Sequence, residues 1–299
     1  MKKLICLQGL PASGKTTKAR ELLVEYGNAV RMNRDDLRAM LHTGAWDGRQ
    51  EHITRVIASD VVSTALNDTL AETCIVDDTN LAPSTLQAWQ ELAAYFEWEF
   101  EVMPLDTPLA ECLLRDACRE HPVGAHVIWG MALQYRLVPQ PAKGYVLCDI
   151  DGTLADCRHR EHYLQQEPKD WQGFFACMSD DTVYQNIRMH VGALAQAGYD
   201  VFCVSGRPET YRAETETWLE RNDMAWVHTV FMRQAGDHRP DVQVKRDMLT
   251  RYWQDTSQIH CVYDDRAEVI EHVWLQAGIP VVLCKEGRIL SDANSALEP

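Results

Sequence analysis

The chain has 299 residues, which is more than one average domain and enough for two domains of about 150 residues each. It is 46% hydrophobic and 24% charged, which supports a packed core and argues against disorder, and it holds no apolar run long enough to cross a membrane. A net charge of −15 argues against bulk, sequence-independent nucleic-acid binding, although it leaves room for a local basic pocket that holds one nucleotide end.

The cysteines and the start of the chain indicate a reducing compartment. The ten cysteines are scattered, with no C-x-x-C pair and no zinc-like spacing. The apolar start breaks at Gln8 and Gly9, which argues against an export signal. We therefore expect reduced thiols, a cytoplasmic location and no membrane partner.

Strands alternate with helices through the first half of the chain. Apolar runs predict strands near 4–7, 29–32, 74–76 and 99–103, and helical spacing predicts helices at 17–26, 51–70 and 84–95. This alternation is typical of a parallel sheet flanked by helices.

The second half repeats the α/β pattern after a break at 138–144, where two prolines and a glycine punctuate the chain. We therefore predict an α/β protein with two domains, 1–138 and 145–299, joined by a linker at 139–144, each with a mainly parallel sheet flanked by helices. Further strands are predicted at 145–148, 200–204, 259–263 and 280–284. Five tryptophans of this half are expected to pack in the core or between helices: Trp171, Trp218, Trp226, Trp253 and Trp274.

The first motif, at residues 9–16, fits the phosphate-binding pattern G-x-x-x-x-G-K-[ST] between a predicted strand and a predicted helix. Its glycines let backbone N–H groups wrap a phosphate, Lys15 reaches the terminal phosphates of ATP, and Thr16 offers a hydroxyl to Mg²⁺. An ordinary glycine turn is the alternative, which the strand and helix on either side disfavour. The predicted ATP-binding residues of this loop are Gly9, Ser13, Gly14, Lys15, Thr16 and Thr17.

Charged residues after the second predicted strand are candidates for the acceptor side. Ligand sites in such sheets lie at the carboxyl ends of the strands. Asp35 would take a proton from a hydroxyl acceptor, while Arg34 or Arg38 would hold an acceptor phosphate. The alternative is a charged helix N-terminus with a capping aspartate.

Two further groups would complete this first site. The strand at 74–76 is followed by D-D-T-N at 77–80, which would orient an arginine or bind the acceptor; a helix cap before Pro83 is the alternative. Arg115 and Arg119 lie four residues apart on one face of a predicted helix. They would clamp the transferring phosphoryl group as a lid, unless they only form a solvated helix face.

The second motif is D-I-D-G-T at 149–153, directly after the strand at 145–148. Asp149 would attack phosphorus and form an aspartyl-phosphate, and Asp151 would donate a proton to the leaving oxygen and later activate water. Both carboxylates need Mg²⁺ nearby to offset their repulsion with an anionic ester. A calcium-loop fragment is the alternative, but the sequence lacks the rest of such a loop.

Residues suited to this second chemistry follow in order along the chain. A hydroxyl and N–H groups at 205–207 would hold phosphoryl oxygens, and Lys245 would neutralise the phosphoaspartate. Asp264 and Asp265 would bind Mg²⁺. Each alone could be a turn, a surface lysine or a cap, but placement at strand ends argues against chance. The predicted phosphate-binding residues are Arg160, Ser205, Gly206, Arg207 and Lys245.

Together the two motif sets resemble the T-even phage type of polynucleotide 5′-kinase/3′-phosphatase, a P-loop kinase fused to a haloacid-dehalogenase-like phosphatase. The resemblance covers nearly the whole chain in the same order, and N-R-D-D at 33–36 and D-T-N at 78–80 make it more specific than either superfamily motif alone. It implies phosphorylation of 5′-hydroxyl ends of RNA or DNA from ATP. It also implies hydrolysis of 3′-phosphate and 2′,3′-cyclic phosphate ends, with Mg²⁺ at both sites.

The resemblance also implies a role for each matching position. Asp35 would be the general base, Arg38 would hold the acceptor phosphate, and Arg119 with Arg115 would act on ATP from the lid. The implied catalytic residues are Lys15, Asp35, Arg119, Asp149 and Asp151. The implied nucleic-acid-binding residues are Arg34, Arg38, Asp78 and Thr79, and the implied metal ligands are Thr16, Asp149, Asp151, Asp264 and Asp265.

Partners follow from the resemblance, and one segment departs from it. The family member is a homotetramer, so we expect a homo-oligomer that works with a nucleic-acid ligase, in the host cytoplasm if it is phage-encoded. The segment 156–184, with Trp171, Phe174 and Phe175, differs from the family and could change 3′-end preference. Two alternatives stay open: a nucleoside or metabolite kinase fused to a metabolite phosphatase, and a nucleotide-dependent switch, which would not need D-x-D-G-T.

Overall fold

The described residues build two separate main sheets, one in each of the two compact units into which the chain divides, Met1–Leu137 and Val138–Pro299. The structure is a computed structural model that describes residues 2–42, 48–138 and 140–290. The predicted linker begins at Pro139 and the predicted second domain ends at 299, and both positions lie outside the described residues. The linker and the domain limits therefore stay predictions.

The first unit alternates strands and helices as the sequence predicts. Its elements are β1 (Lys3–Gln8), α1 (Lys15–Tyr26), β2 (Ala29–Met32), α2 (Arg34–Leu41), α3 (Glu51–Asn67), β3 (Thr73–Val76), α4 (Pro83–Tyr95), β4 (Glu99–Pro104), α5 (Leu109–Ala117) and α6 (Ala125–Gln134). The sheet order is β2-β3-β1-β4, and each neighbouring pair is parallel.

Alternate residues of β1 pack against opposite layers of helices. Ile5 and Leu7 lie in a buried cluster with Leu22 of α1, whereas Leu4 and Cys6 lie in a second cluster with Val62 of α3. A strand covered on both faces has no polar face, which is why its sequence is an unbroken apolar run. Because the strands are parallel, the segments after β1, β2 and β3 meet at one edge of the sheet.

Asn80 fastens two of these strand ends to each other. It is buried in a left-handed conformation with φ of 47°, and its side-chain Nδ2 donates to the carbonyls of Leu7 (2.8 Å), Val76 (3.2 Å) and Asp78 (3.3 Å). The side chain of Gln8 returns a bond to the Asn80 carbonyl (3.0 Å). Asparagine tolerates this backbone conformation better than most residues, so the residue type suits both tasks.

The second unit has a larger sheet. Its elements are β5 (Tyr145–Cys148), β6 (Ala155–Asp156), α7 (Trp171–Ala176), β7 (Thr182–Val183), α8 (Gln185–Gln196), β8 (Asp200–Pro208), α9 (Arg212–Arg221), β9 (Val227–Arg233), α10 (Asp241–Tyr252), β10 (Ile259–Asp264), α11 (Ala267–Val269), β11 (Val281–Lys285) and β12 (Arg288–Leu290). Short 3₁₀ turns lie between them, and a π-helical turn at Ile270–Trp274 continues α11.

The order of this sheet is β12-β11-β10-β5-β8-β9, and only its edge strand β12 runs antiparallel to its neighbour. The chain leaves β5 for β8 on one side and later returns to β10 on the other. The ends of β5 and β10 therefore form a topological switch point, where such sheets bind ligands. The predicted fold class, α/β with mainly parallel sheets flanked by helices, is confirmed in both units.

The tryptophan prediction is wrong for one residue. Trp218, Trp253 and Trp274 are buried, and Trp226 packs against the core, but the side chain of Trp171 is 51% exposed. None of the helices in the described ranges is long and apolar enough to span a membrane.

Replacing Asn80 with alanine should lower the free energy of unfolding of the first unit by about 1–3 kcal/mol. The change leaves buried carbonyls of two strands without a donor and puts alanine at a positive φ. Urea unfolding followed by circular dichroism measures the effect. Gln87→Ala, which removes an exposed side chain of α4 bonded only to Glu91, is the control and should change stability by less than about 0.5 kcal/mol. Equal effects of both changes would contradict the role given to Asn80.

Candidate active sites

The loop after β1 and the first turn of α1 place Lys15 at the predicted phosphate site. The Lys15 Nζ donates to the carbonyl oxygens of Gly9 (3.1 Å) and Leu10 (2.6 Å) and lies 3.4 Å from the Ser13 Oγ. Burial lowers the pKa of Lys15 to about 8, and the negative charge of Asp77 acts against that fall. Thr17, also predicted to bind ATP, is exposed on the same turn.

Asp77 and Thr16 offer oxygen ligands beside this loop. One carboxylate oxygen of Asp77 accepts from the Nε (2.9 Å) and Nη2 (2.6 Å) of Arg31. The other, Oδ1, is buried and has no hydrogen-bond partner among the residues that the structure describes. Burial raises the pKa of Asp77, and Arg31, Thr16 and Lys15 act against that rise. The Asp77 Oδ1 and the hydroxyl of Thr16 are oxygen ligands of the kind that a hard cation such as Mg²⁺ prefers.

Helix α2 presents the predicted general base to solvent. Asn33 caps the helix, because its side chain accepts from the backbone N–H of Asp36 (2.9 Å), so the alternative of a capping aspartate is wrong. The side chain of Asp35 is 84% exposed and pairs with Arg38. Glu51 holds that arginine from the other side with two bonds of 2.9 Å, to its Nε and Nη2.

Asp78 orients Arg34. Its two oxygens accept from the backbone N–H (3.1 Å) and the Nε (2.7 Å) of Arg34. The alternative of a helix cap is wrong, since α4 is preceded by Ala82 and has no side-chain cap. Thr79, which was predicted to bind nucleic acid, accepts a hydrogen bond from the N–H of Gly9 through its backbone carbonyl (3.0 Å).

The two lid arginines lie near the phosphate loop but not on one helix. Helix α5 ends at Ala117, so Arg119 follows it in a turn, and the expectation of a shared helix face is wrong. Arg115 pairs with Glu111 (2.7 Å), and its Nη1 would lie 3.8 Å from a Cβ added to Gly14. The charge of Arg119 is close enough to Lys15 to help lower its pKa.

In the second unit the ends of β5 and β10 bring three carboxylates together. Asp149 follows β5 and donates its backbone N–H to the carbonyl of Tyr263 on β10 (2.9 Å). Oxygens of Asp149, Asp264 and Asp265 lie within 4.8 Å of one another. Gly152 makes this approach feasible, because a Cβ there would stand 2.2 Å from an oxygen of Asp265, and its φ is +84°. Three converging carboxylates are a suitable oxygen set for Mg²⁺.

Lys245 is the cation inside this acidic cluster. It is fully buried, with its Nζ 3.0 Å from Asp149 and 2.9 Å from Asp264. Burial alone would lower the pKa of Lys245, but these neighbours raise it well above its ordinary value. Burial raises the pKa of Asp149 well above the usual range, and burial with Asp264 raises that of Asp265 to about 7.

Asp151 is held apart from the three clustered carboxylates by two buried arginines. Its Oδ1 accepts from the Nη2 of Arg160 (2.6 Å) and the Nη2 of Arg207 (2.6 Å). Burial acts to raise the pKa of Asp151, but Arg207 and Arg160 outweigh it and lower the pKa. Behind the arginines, the fully buried carboxylate of Asp181 accepts from Arg160 (2.7 Å at Nε and at Nη2) and from Arg207 (2.9 Å).

Ser205 and Gly206 lie at the carboxyl end of β8, where the pairing with β9 shifts register. The Ser205 Oγ accepts from the N–H of Arg207 (3.2 Å). A Cβ on Gly206 would stand 2.5 Å from an oxygen of Asp241, so a side chain there would displace that carboxylate. Asp241 lies 3.6 Å from Lys245 and 3.2 Å from Arg266.

Three acidic residues of these sites were not predicted as site residues: Glu51, Asp181 and Asp241. Glu51 and Asp181 are distant in sequence from the arginines that they hold, so no local motif marks them. Asp241 lies only four residues before Lys245, a spacing that brings the two side chains together on helix α10 and that could have marked it. Asp77, in contrast, confirms the prediction that the segment 77–80 orients an arginine, because it accepts from Arg31.

Comparison with known proteins assigns each unit. Residues 143–289 match the family model described as the polynucleotide kinase PNKP phosphatase domain. Residues 4–137 match that of an AAA domain. The fold and sites define a P-loop kinase-like unit followed by a haloacid-dehalogenase-like unit. With the phosphatase match, the chain has the architecture of a polynucleotide kinase–phosphatase, and the family matches imply use of a nucleotide and of metal.

A curated relative is the "Putative bifunctional polynucleotide kinase/RNA ligase" of Autographa californica nuclear polyhedrosis virus. It is 26% identical over 318 residues, which cover 95% of this chain and 43% of the relative. The chain therefore spans less than half the length of that relative. Two solved structures of a Pnkp1/Rnl/Hen1 complex align with TM-scores of 0.41, at 23% and 24% identity, over 94% of this chain and 96% and 95% of theirs.

Replacing Asp181 with asparagine should lower phosphatase activity at least tenfold and the free energy of unfolding of the second unit by about 3 kcal/mol. The change removes one of the two carboxylates that pair with the buried guanidinium groups of Arg160 and Arg207, so that Asp151 alone offsets two buried charges. Initial rates on a phosphomonoester and urea unfolding measure the two effects.

The control is His159→Ala, which removes the half-exposed partner of Asp181 (2.9 Å) and leaves both arginine pairs in place. It should retain activity and stability. An asparagine variant as active and stable as the parent protein would refute the anchoring role of Asp181.

Proposed function

We propose that the protein heals broken nucleic-acid ends. It phosphorylates 5′-hydroxyl ends of RNA or DNA from ATP and removes 3′-phosphates, including 2′,3′-cyclic phosphates. The observation that carries this proposal is the presence of two complete sets of phosphoryl-transfer residues on one chain, the second in a unit of the polynucleotide-kinase phosphatase type.

In the kinase step the 5′-hydroxyl oxygen attacks the γ-phosphorus of ATP, and the bond to the β–γ bridging oxygen breaks. Asp35 takes the hydroxyl proton, a role that suits its exposure at the tip of α2. Arg38, held by Glu51, binds the acceptor phosphate. Lys15, Arg115 and Arg119 neutralise the charge that builds on the transferred group.

Mg²⁺ would be held in this site by Thr16, with Asp77 Oδ1 as a further oxygen. In the phosphatase it would be held by Asp149, Asp264 and Asp265. At both sites the ion supplies positive charge that offsets the repulsion between the anionic reactants.

In the phosphatase step an oxygen of Asp149 bonds to phosphorus, and the bond from phosphorus to the ribose O3′ breaks. Asp151 gives a proton to O3′ and later takes one from the water that hydrolyses the aspartyl-phosphate. Arg160 and Arg207 lower the pKa of Asp151, so the acid role requires that a bound phosphate compete for the same N–H donors and free the carboxylate to take up a proton from solvent. Lys245 and Ser205 bind the phosphoryl oxygens.

We further propose that a nucleic-acid ligase joins the healed ends. A relative whose name pairs polynucleotide kinase with RNA ligase supports a functional link between the two steps. By family resemblance we propose that the protein is a homo-oligomer, a tetramer, and that it works in the cytoplasm, where ATP is available.

One assay tests both activities. A short RNA with a 5′-hydroxyl and a 3′-phosphate is incubated with labelled ATP and Mg²⁺. The expected result is label on the 5′-end together with loss of the 3′-phosphate. If neither end changes while nucleosides or sugar phosphates react, the protein is a small-molecule kinase and phosphatase instead.

Lys15→Ala or Asp35→Ala should reduce 5′-phosphorylation at least 100-fold and leave 3′-phosphate removal unchanged, while Asp149→Ala should do the reverse. The reason is that each set of residues lies in its own unit. The same RNA assay measures both products for each variant. Loss of both activities from a folded single variant would contradict two independent sites.

A further inference from the structure

Three aromatic rings form a nearly parallel stack beside the phosphate-binding arginines of the phosphatase. The ring of Tyr211 lies 5.5 Å from that of Phe175 at 35°, and Phe175 lies 6.0 Å from Trp171 at 23°. Within residues 140–290, Trp171 is the one Phe, Tyr or Trp residue that is exposed, whereas the others are buried or half-buried. The stack therefore ends in an open indole surface.

A helix cap and close ring packing constrain the segment that carries Trp171. Asp170 caps the six-residue helix α7 by accepting from the N–H of Gly173 (2.8 Å). A Cβ on Gly173 would stand 2.6 Å from the ring of Tyr163, so glycine lets the helix lie against that ring. Phe174 packs edge-on to Trp171 (6.1 Å, 82°). Phe175 thus stacks against the indole and Phe174 packs edge to face with it, while about half of Trp171 stays exposed to solvent.

The stack is joined to the catalytic groups by direct contacts. The guanidinium carbon of Arg160 lies 4.0 Å from the centre of the Phe174 ring, while the Arg160 Nη2 is 2.6 Å from Asp151. The Arg160 Nη1 also donates to the Phe174 carbonyl (3.3 Å). On the other side, Tyr211 follows Arg207 by four residues. Trp171 is therefore connected to Arg160 through Phe174, in steps of 6.1 Å between the two ring centres and 4.0 Å from the Phe174 ring centre to the guanidinium carbon.

We propose that the exposed face of Trp171 stacks on the base of the 3′-terminal nucleotide, which positions the 3′-phosphate at Asp149. This proposal rests on the proposed phosphatase function. Stacking on an aromatic ring suits any base, because each base presents a π-face. Because its neighbours already hold the indole of Trp171 in place, a base that stacks on it gains contact area with little loss of side-chain conformational entropy. The segment 156–184 thus acts as a base platform that admits terminal nucleotides without sequence preference.

The test compares two oligonucleotides that both carry a 3′-phosphate. One ends in a normal nucleotide, and the other ends in a nucleotide that lacks its base. Trp171→Ala should raise KM about tenfold for the first substrate, leave kcat within about twofold, and leave both constants unchanged for the second. Trp171→Phe should restore most of the lost affinity. Met189→Ala, which truncates another exposed apolar side chain of this unit, is the control and should change neither constant.

Several outcomes would overturn the proposal. An equal loss on both substrates means that Trp171 supports the fold of the site rather than the base. A change in oligomeric state on size-exclusion chromatography, with no difference between the substrates, means that Trp171 contacts another copy of the chain. Wild-type protein that cleaves neither substrate but hydrolyses a sugar phosphate would overturn the proposed 3′-end phosphatase function, and the base platform with it.

Discussion

Electrostatic repulsion between clustered carboxylates is the constraint on which the phosphatase site depends. Parallel strands bring their carboxyl ends to one edge of the sheet, and two of these strands, β5 and β10, place Asp149, Asp264 and Asp265 there. Lys245 offsets that repulsion from inside the protein, because its buried ammonium contacts both Asp149 and Asp264. Removing a lysine ammonium from water costs free energy. Two acids beside it offset that cost only if their carboxylates are held in position. The backbone bond from Asp149 to β10 provides that fixation.

In the kinase-like unit the signs of the charges are reversed, because acids there hold arginines in position. Acids hold three arginines of this unit in place: Asp78 for Arg34, Glu51 for Arg38 and Asp77 for Arg31. These acids come from the strand edge and from α3, whereas the arginines come from β2 and α2. Packing between these elements therefore decides where the acceptor-binding charges stand. In both units, several charged groups of the site are held by partners that are distant in sequence, such as Asp78 for Arg34 and Asp181 for Arg160.

The sequence was sufficient for features that are local. An unbroken apolar strand followed by a glycine-containing motif predicts both the sheet and the motif's place at its edge, as at Lys15 and Asp149. Features that depend on tertiary contacts could not be predicted from the sequence. Nothing local distinguishes Asp181 from a surface acid, although the fold buries it behind two arginines. Strand β9 was missed because polar residues such as His228 and Thr229 interrupt its apolar pattern, and the end of α5 at Ala117 carries no glycine or proline to mark it.

The arginines of the two units differ in how much freedom they keep before any substrate arrives. Arg160 and Arg207 are fully buried and clamped by Asp181, so their side-chain entropy is lost when the unit folds. The side chains of Arg115 and Arg119 are each nearly half exposed, at 48% and 46%, and must be ordered when they close on a phosphate. The arginines of the second unit are thus preorganised, whereas those of the first unit lose side-chain entropy each time a substrate binds. The two proposed reactions would then have different entropies of substrate binding.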